Sequence, residues 1–220
     1  MNSIRLLGVA QLLVFGFGML GGLLLSSAVG SGGMSDILVS ISENQTRMRI
    51  SNLFWLVVCV AIVVLGVLFY IVFNNEYKII SLVALGCFLA EAITLAVSKI
   101  GAYALIPLSQ EFVEVGAPEP SYFQTLGDFF YYGFDRQGFD IHMLFFCLGG
   151  ILWYYLLYIS NYIPRVLSVW GLAAVCLMLM TTLLVLYNRD LKDSPVMVLA
   201  LPYLPFELFL GVWLIVKGFT

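Results

Sequence analysis

Charge is what this chain has least of. Lysine, arginine, aspartate and glutamate make up 10% of its 220 residues, against roughly 25% in soluble domains. The net charge is −3, and no basic run is present. That argues against a phosphate-tracking surface for nucleic acid and against a polybasic lipid-binding tail. Histidine occurs once, at His142, too few for the multi-histidine sites of zinc or haem, and no metal site is expected. The four cysteines, Cys59, Cys87, Cys147 and Cys176, fall in different apolar stretches without a CxxC pair. Buried free thiols are the expectation. The chain also lacks a nucleophile elbow, a phosphate-cradling glycine loop and a serine–histidine arrangement, so it carries no enzyme signature and names no cofactor.

What fills the chain instead is apolar. Hydrophobic residues make up 62% of it, more than a soluble chain of this length could hide, so lipid is the expected solvent. Six stretches, over about 5–28, 50–73, 79–103, 139–160, 166–187 and 197–217, each approach the roughly 20 residues that cross a bilayer core. Backbone groups in lipid must be satisfied within their own segment, so the stretches read as helices. The predicted fold is all-α: one domain over 1–220, an integral membrane bundle of six transmembrane helices. Leu6–Ser35 contains no charge and is far longer than a signal-peptide core, so it reads as a retained span. Gly18 and Gly22 form a GxxxG there, which lets a neighbouring backbone come close.

The connections differ in length. Asn74–Lys78 and Asn161–Arg165 read as tight turns, the second fixed by Pro164. Gly30–Arg49 and Ile106–Asp140 are long. Short interfacial helices are expected in both: one through Asp36–Ile41 capped by Ser35, and one after Ser121 and Gln124, which stand at capping-box spacing. The aromatic run Phe123–Tyr132 suits the headgroup layer. The even span count puts both termini on one side. A bare count of lysine and arginine favours the other side as cytoplasmic. Ten of the thirteen acids fall there, however, and neutralise its basic residues, and long loops translocate largely regardless of charge. The side of the termini is read as the cytoplasm of a cell-membrane protein.

Two spans carry a glutamate near mid-length, Glu91 in Ala90-Glu91-Ala92 and Glu207 in Pro205-Phe206-Glu207-Leu208. A carboxylate at bilayer depth costs at least about 2.5–3.5 kcal/mol, so it is usually paired, protonated or functional. The span boundaries put both at the same depth, where a facing pair could share a proton or bind a cation. Pro202 and Pro205 predict a kink just before Glu207, with free carbonyls beside it. The bland reading hydrogen-bonds each glutamate to a neighbouring helix, through Thr94, Thr181, Thr182 or a tyrosine. Thirdly, His142 with Asp140, Asp135 and Asp128 could form an acidic site at the bundle mouth.

Further pieces are Arg5-Leu6-Leu7-Gly8, Tyr155-Leu156-Leu157-Tyr158, Tyr162-Ile163-Pro164-Arg165-Val166-Leu167 and Trp213-Leu214-Ile215-Val216-Lys217-Gly218. Together with the two glutamate motifs they resemble a family of bacterial multi-pass membrane proteins known as domain of unknown function 4386. The likeness spans nearly the whole chain. It departs from the family pattern at Ile159-Ser160-Asn161 and at Ser168. The resemblance implies a six-helix membrane protein with Glu91 and Glu207 as motif positions, and it brings no activity. Three functions fit these residues. One is a small carrier or ligand-binding membrane protein with a proton- or cation-linked Glu91/Glu207 pair and a small-molecule or ion ligand. Another is an assembly subunit whose glutamates are structural. The last is a lipid- or quinone-acting enzyme with its site near His142.

Overall fold

A computed structural model describes residues 3–218, and every regular element among them is helical. The helices are α1 (Ser3–Val29), α2 (Met34–Glu43), α3 (Gln45–Glu114), α4 (Tyr122–Asp128), α5 (Gln137–Ser160), α6 (Arg165–Tyr187) and α7 (Tyr203–Val216). A π-helical stretch, Phe129–Arg136, joins α4 to α5, and two short 3-10 segments, Arg189–Asp193 and Pro195–Ala200, lead from α6 to α7. Among the described residues, five helical stretches are long and apolar enough to cross a membrane: Ile4–Val29, Gln45–Glu114, Tyr122–Ser160, Arg165–Tyr187 and Pro195–Val216. Leu23, Val60, Ile79 and Val166 are among many large apolar side chains left exposed on them, as contact with lipid chains would require.

The stretches expected over 50–73 and 79–103 both fall in α3, which has non-helical dihedrals at Tyr77 (φ −128°, ψ 44°). The chain folds back there. A Cβ built on Gly66 would lie 3.1 Å from the Cβ of Phe88, although a straight helix would hold those residues about 33 Å apart at about 1.5 Å per residue. Farther from the bend, Gln110 Nε2 donates to Gln45 Oε1 at 2.9 Å. The reversal is therefore tighter than a five-residue turn over Asn74–Lys78.

The chain packs as two compact units. The first takes in the chain up to Phe15, Val60–Ile93 and the chain from Asp140 onward. Its core is aromatic: the buried Trp153 stacks on Phe69 with ring centroids 4.6 Å apart, and Phe73 stacks on Tyr162 at 5.4 Å. Close helix approach is made at Gly8 of α1, where a Cβ would meet the Gly211 carbonyl oxygen of α7 at 2.7 Å. A Cβ on Gly171 of α6 would lie 2.4 Å from the ring of the fully buried Phe206. Such sites admit no side chain without repacking.

The second unit comprises Gly16–Cys59 and Thr94–Phe139. Leu38, Ile41, Met48, Leu105, Phe112 and Phe123 are among its buried core. Both short helices form where the sequence puts them. Ser121 caps α4 as expected, its backbone N–H donating to Gln124 Oε1 at 2.8 Å. For α2 the cap is Gly33 rather than Ser35: Asp36 accepts the Gly33 N–H at 3.0 Å, and the helix starts two residues earlier. Gly18 and Gly22 do not meet a helix backbone within van der Waals contact. They face the Trp55 indole, and Gly21 beside them makes the closest approach to it, 3.1 Å from a built Cβ to Trp55 Nε1.

Before Glu207 the sixth stretch is broken rather than kinked: its 3-10 segment ends at Ala200 and the α-helix starts at Tyr203. α7 begins at Tyr203 with Pro202 as its cap, so Pro205 occupies the third helical position. An N–H there would have no partner within the helix, and a proline costs it nothing.

Replacing Gly171 by valine should lower stability by roughly 1–3 kcal/mol through overpacking against Phe206. Thermal unfolding in detergent checks this. Gly86→Ala, at an exposed position with nothing within 4 Å of its added methyl, should leave the melting temperature unchanged or slightly raised.

Candidate functional site

The first unit brings the two glutamates to one place. On α7 the buried residues Tyr203, Phe206, Glu207, Leu210 and Leu214 recur at helical spacing, so Glu207 lies on the face turned into the core. On α3, Ala84, Phe88, Glu91 and Leu95 do the same. Glu91 is 2% exposed and Glu207 is 7% exposed. Both line one cavity of about 10 Å³, with Gln11, Trp153, Tyr154 and Tyr203 also on its wall. Measured as room for a water's centre, that volume admits about one water and no organic molecule.

The polar groups around the cavity are unequally satisfied. Gln11 Nε2 donates to Glu207 Oε1 at 2.7 Å. The Tyr154 and Tyr203 hydroxyls share a hydrogen bond of 2.6 Å. Glu91 Oε2 is buried with no hydrogen-bond partner among the described residues. Two of the three threonines offered as partners bond elsewhere: Thr181 Oγ1 donates to the Leu177 carbonyl at 3.0 Å and Thr182 Oγ1 to that of Met178 at 2.9 Å. A threonine on a helix can always bond its own preceding turn, and here both do.

The residues proposed for an acidic mouth are placed as follows. Asp140, in the first unit, pairs with Lys192 at 2.7 Å. His142, on the same helix, is 5% exposed. In the second unit Asp135 forms a fully buried ion pair with Lys99, while Asp128 is exposed on α4. Two of the three acids are therefore held by lysines.

Two participants escaped the sequence reading. Gln11 is the one side-chain amide in the uncharged run from Leu6 to Ser35, and that isolation was the available signal. Lys99 stands near the end of the apolar stretch over 79–103, yet it is 2% exposed. Nothing local distinguishes it, because its partner lies 36 residues away.

Removing Gln11 should expose the logic of the cluster. Gln11→Leu leaves Glu207 Oε1 without its donor, an expected loss of roughly 1–3 kcal/mol. The double variant Gln11→Leu/Glu207→Leu should recover most of that loss, since it strands no polar group. Denaturant titration of the purified variants gives both numbers.

No curated protein and no solved structure matches the chain. A family model does, over residues 6–218, nearly the entire length. The chain thus belongs to the family described as "Domain of unknown function (DUF4386)".

Proposed function

We propose that this is a multi-pass protein of a bacterial cell membrane, crossing it six times with both termini in the cytoplasm and with α2 and α4 lying at the interface. Counting six spans treats the two arms of α3 on either side of Tyr77 as separate crossings. The fold-back shown by Gly66 and Phe88 supports that count. In this reading the protein is a small carrier whose Glu91 and Glu207 act as a proton- or cation-linked pair. The observation that carries the reading is Glu91 Oε2, a buried carboxylate oxygen without a hydrogen-bond partner among the described residues, on the wall of a cavity shared with Glu207. A buried polar atom left unmatched is costly, and in a membrane-spanning helix such a group usually belongs to a proton or ion pathway. The size of the cavity favours a proton, a water or a bare cation as the occupant over an organic ligand.

A second reading has its own support. The Gln11–Glu207 bond ties α1 to α7, which is what a purely structural glutamate would do in an assembly subunit.

Liposomes carrying the purified protein and an entrapped pH-sensitive dye separate the two. Under an imposed proton or Na⁺ gradient the wild type should change internal pH, and Glu91→Gln and Glu207→Gln should each reduce the rate to that of protein-free liposomes. Unchanged rates in both variants would sink the carrier reading. A wild type that moves neither ion, with variants that only melt earlier, supports the structural one.

A further inference from the structure

The second unit holds a cavity of a different kind. Its volume is about 480 Å³ on the same measure, within the range of small-molecule sites. Gly18 and Gly22 of α1, Trp55 and Lys99 of α3, and Asp135 and Arg136 of the π-helical stretch all contribute to its wall. The glycines make the room: a side chain at either position would point at Trp55 and into this space.

The charges on the wall do not cancel. Lys99 and Asp135 satisfy each other in a buried ion pair. Arg136 is half-buried, and its Nη2 donates to the neutral hydroxyl of Tyr131 at 2.6 Å, with the guanidinium 4.9 Å over the Tyr131 ring. That double contact fixes the guanidinium while leaving its charge and its other N–H donors available. Trp55 also lines the wall; its Nε1 is buried beside Gly21, with no hydrogen-bond partner among the described residues. Apart from Ser26, the rest of the lining is apolar. It includes Met19 and Leu23, which are 44% and 63% exposed and carry the wall out to the apolar surface of α1.

A fixed guanidinium with spare donors recognises a carboxylate or a phosphate. An apolar wall running to an exposed apolar surface takes a hydrocarbon chain. We infer that this cavity binds a single-chain amphiphile with an anionic head, the head on Arg136 and the chain along Met19 and Leu23. The site is independent of the glutamate pair, and its test needs no transport activity.

The test is binding to the full-length protein in an uncharged detergent, counted by native mass spectrometry. The probes are oleate, oleoyl-lysophosphatidate, the uncharged monoolein and inorganic phosphate. Oleate and the lysophosphatidate should each bind saturably at one molecule per chain, and monoolein should bind far more weakly. Arg136→Gln should weaken both anionic amphiphiles roughly ten-fold or more, the value of a hydrogen bond to a charged group. Gly22→Leu, which fills the cavity without touching a charge, should abolish binding. Because either variant could misfold, each is compared at an unchanged melting temperature, and Lys217→Gln, outside the cavity, serves as a charge control that should bind as the wild type does. Equal binding of monoolein and oleate would overturn the proposal, as would wild-type affinity in Arg136→Gln. Displacement of oleate by inorganic phosphate alone would overturn the amphiphile and leave a simple anion site.

Discussion

A helix that shows apolar side chains to its surroundings has no outside partner for a polar group on its inner face. Every buried donor and acceptor must then be matched within the chain, and most of the interior polar contacts of this protein follow from that constraint. Ser51 donates to the Gly21 carbonyl, Thr181 and Thr182 donate to their own preceding turns, and Tyr154 bonds Tyr203. The ionisable groups obey the same rule at higher stakes. Lys99 is matched to Asp135, and Glu207 to Gln11. Breaking such a pair from one side strands the other member in a medium that cannot solvate it. Among the described residues the rule is broken at the Asn52 side chain, at Ser168 Oγ, at the indole N–H groups of Trp55, Trp153 and Trp213, and at Glu91 Oε2. Glu91 is the ionisable member of that group, which is why the functional reading rests on it.

The helical content and most helix positions were legible in the sequence, because length and uninterrupted apolarity leave no other way to satisfy a backbone without water. What the sequence could not deliver was the chain's behaviour at the ends of helices. Tyr77 reverses the chain in one residue with no glycine or proline to announce it, so a tight turn was foreseen and its sharpness was not. The prolines before Glu207 read as a kink because the sixth stretch looked continuous. The 3-10 segment Pro195–Ala200 instead precedes α7, and a proline at a helix start is innocuous. Gly18 and Gly22 show a similar limit. Their spacing correctly signals that something large comes close, but only the structure says that it is the flat face of an indole.

The candidate sites were legible in part for a related reason. A lone carboxylate in an apolar run is visible without any knowledge of its neighbours, and so Glu91 and Glu207 stood out. Partnership is a property of pairs distant in sequence. Gln11 and Glu207 are separated by 196 positions, and no periodicity links them. The same holds for the acids grouped as a mouth. Asp135 and Asp140 lie five residues apart, yet each is committed to a different lysine.

Cavity size then decides what each place can do. Around Glu91 and Glu207 there is room for about one water, which is why the proposed occupant of that place is a proton, a water or a bare cation. Beside Arg136 the opposite holds. Three glycines in α1 leave the indole of Trp55 and the adjoining space unfilled by side chains from that helix, and a core optimised only for packing would have filled it. Retaining a large space next to a fixed guanidinium is intelligible if something apolar at one end and anionic at the other occupies it.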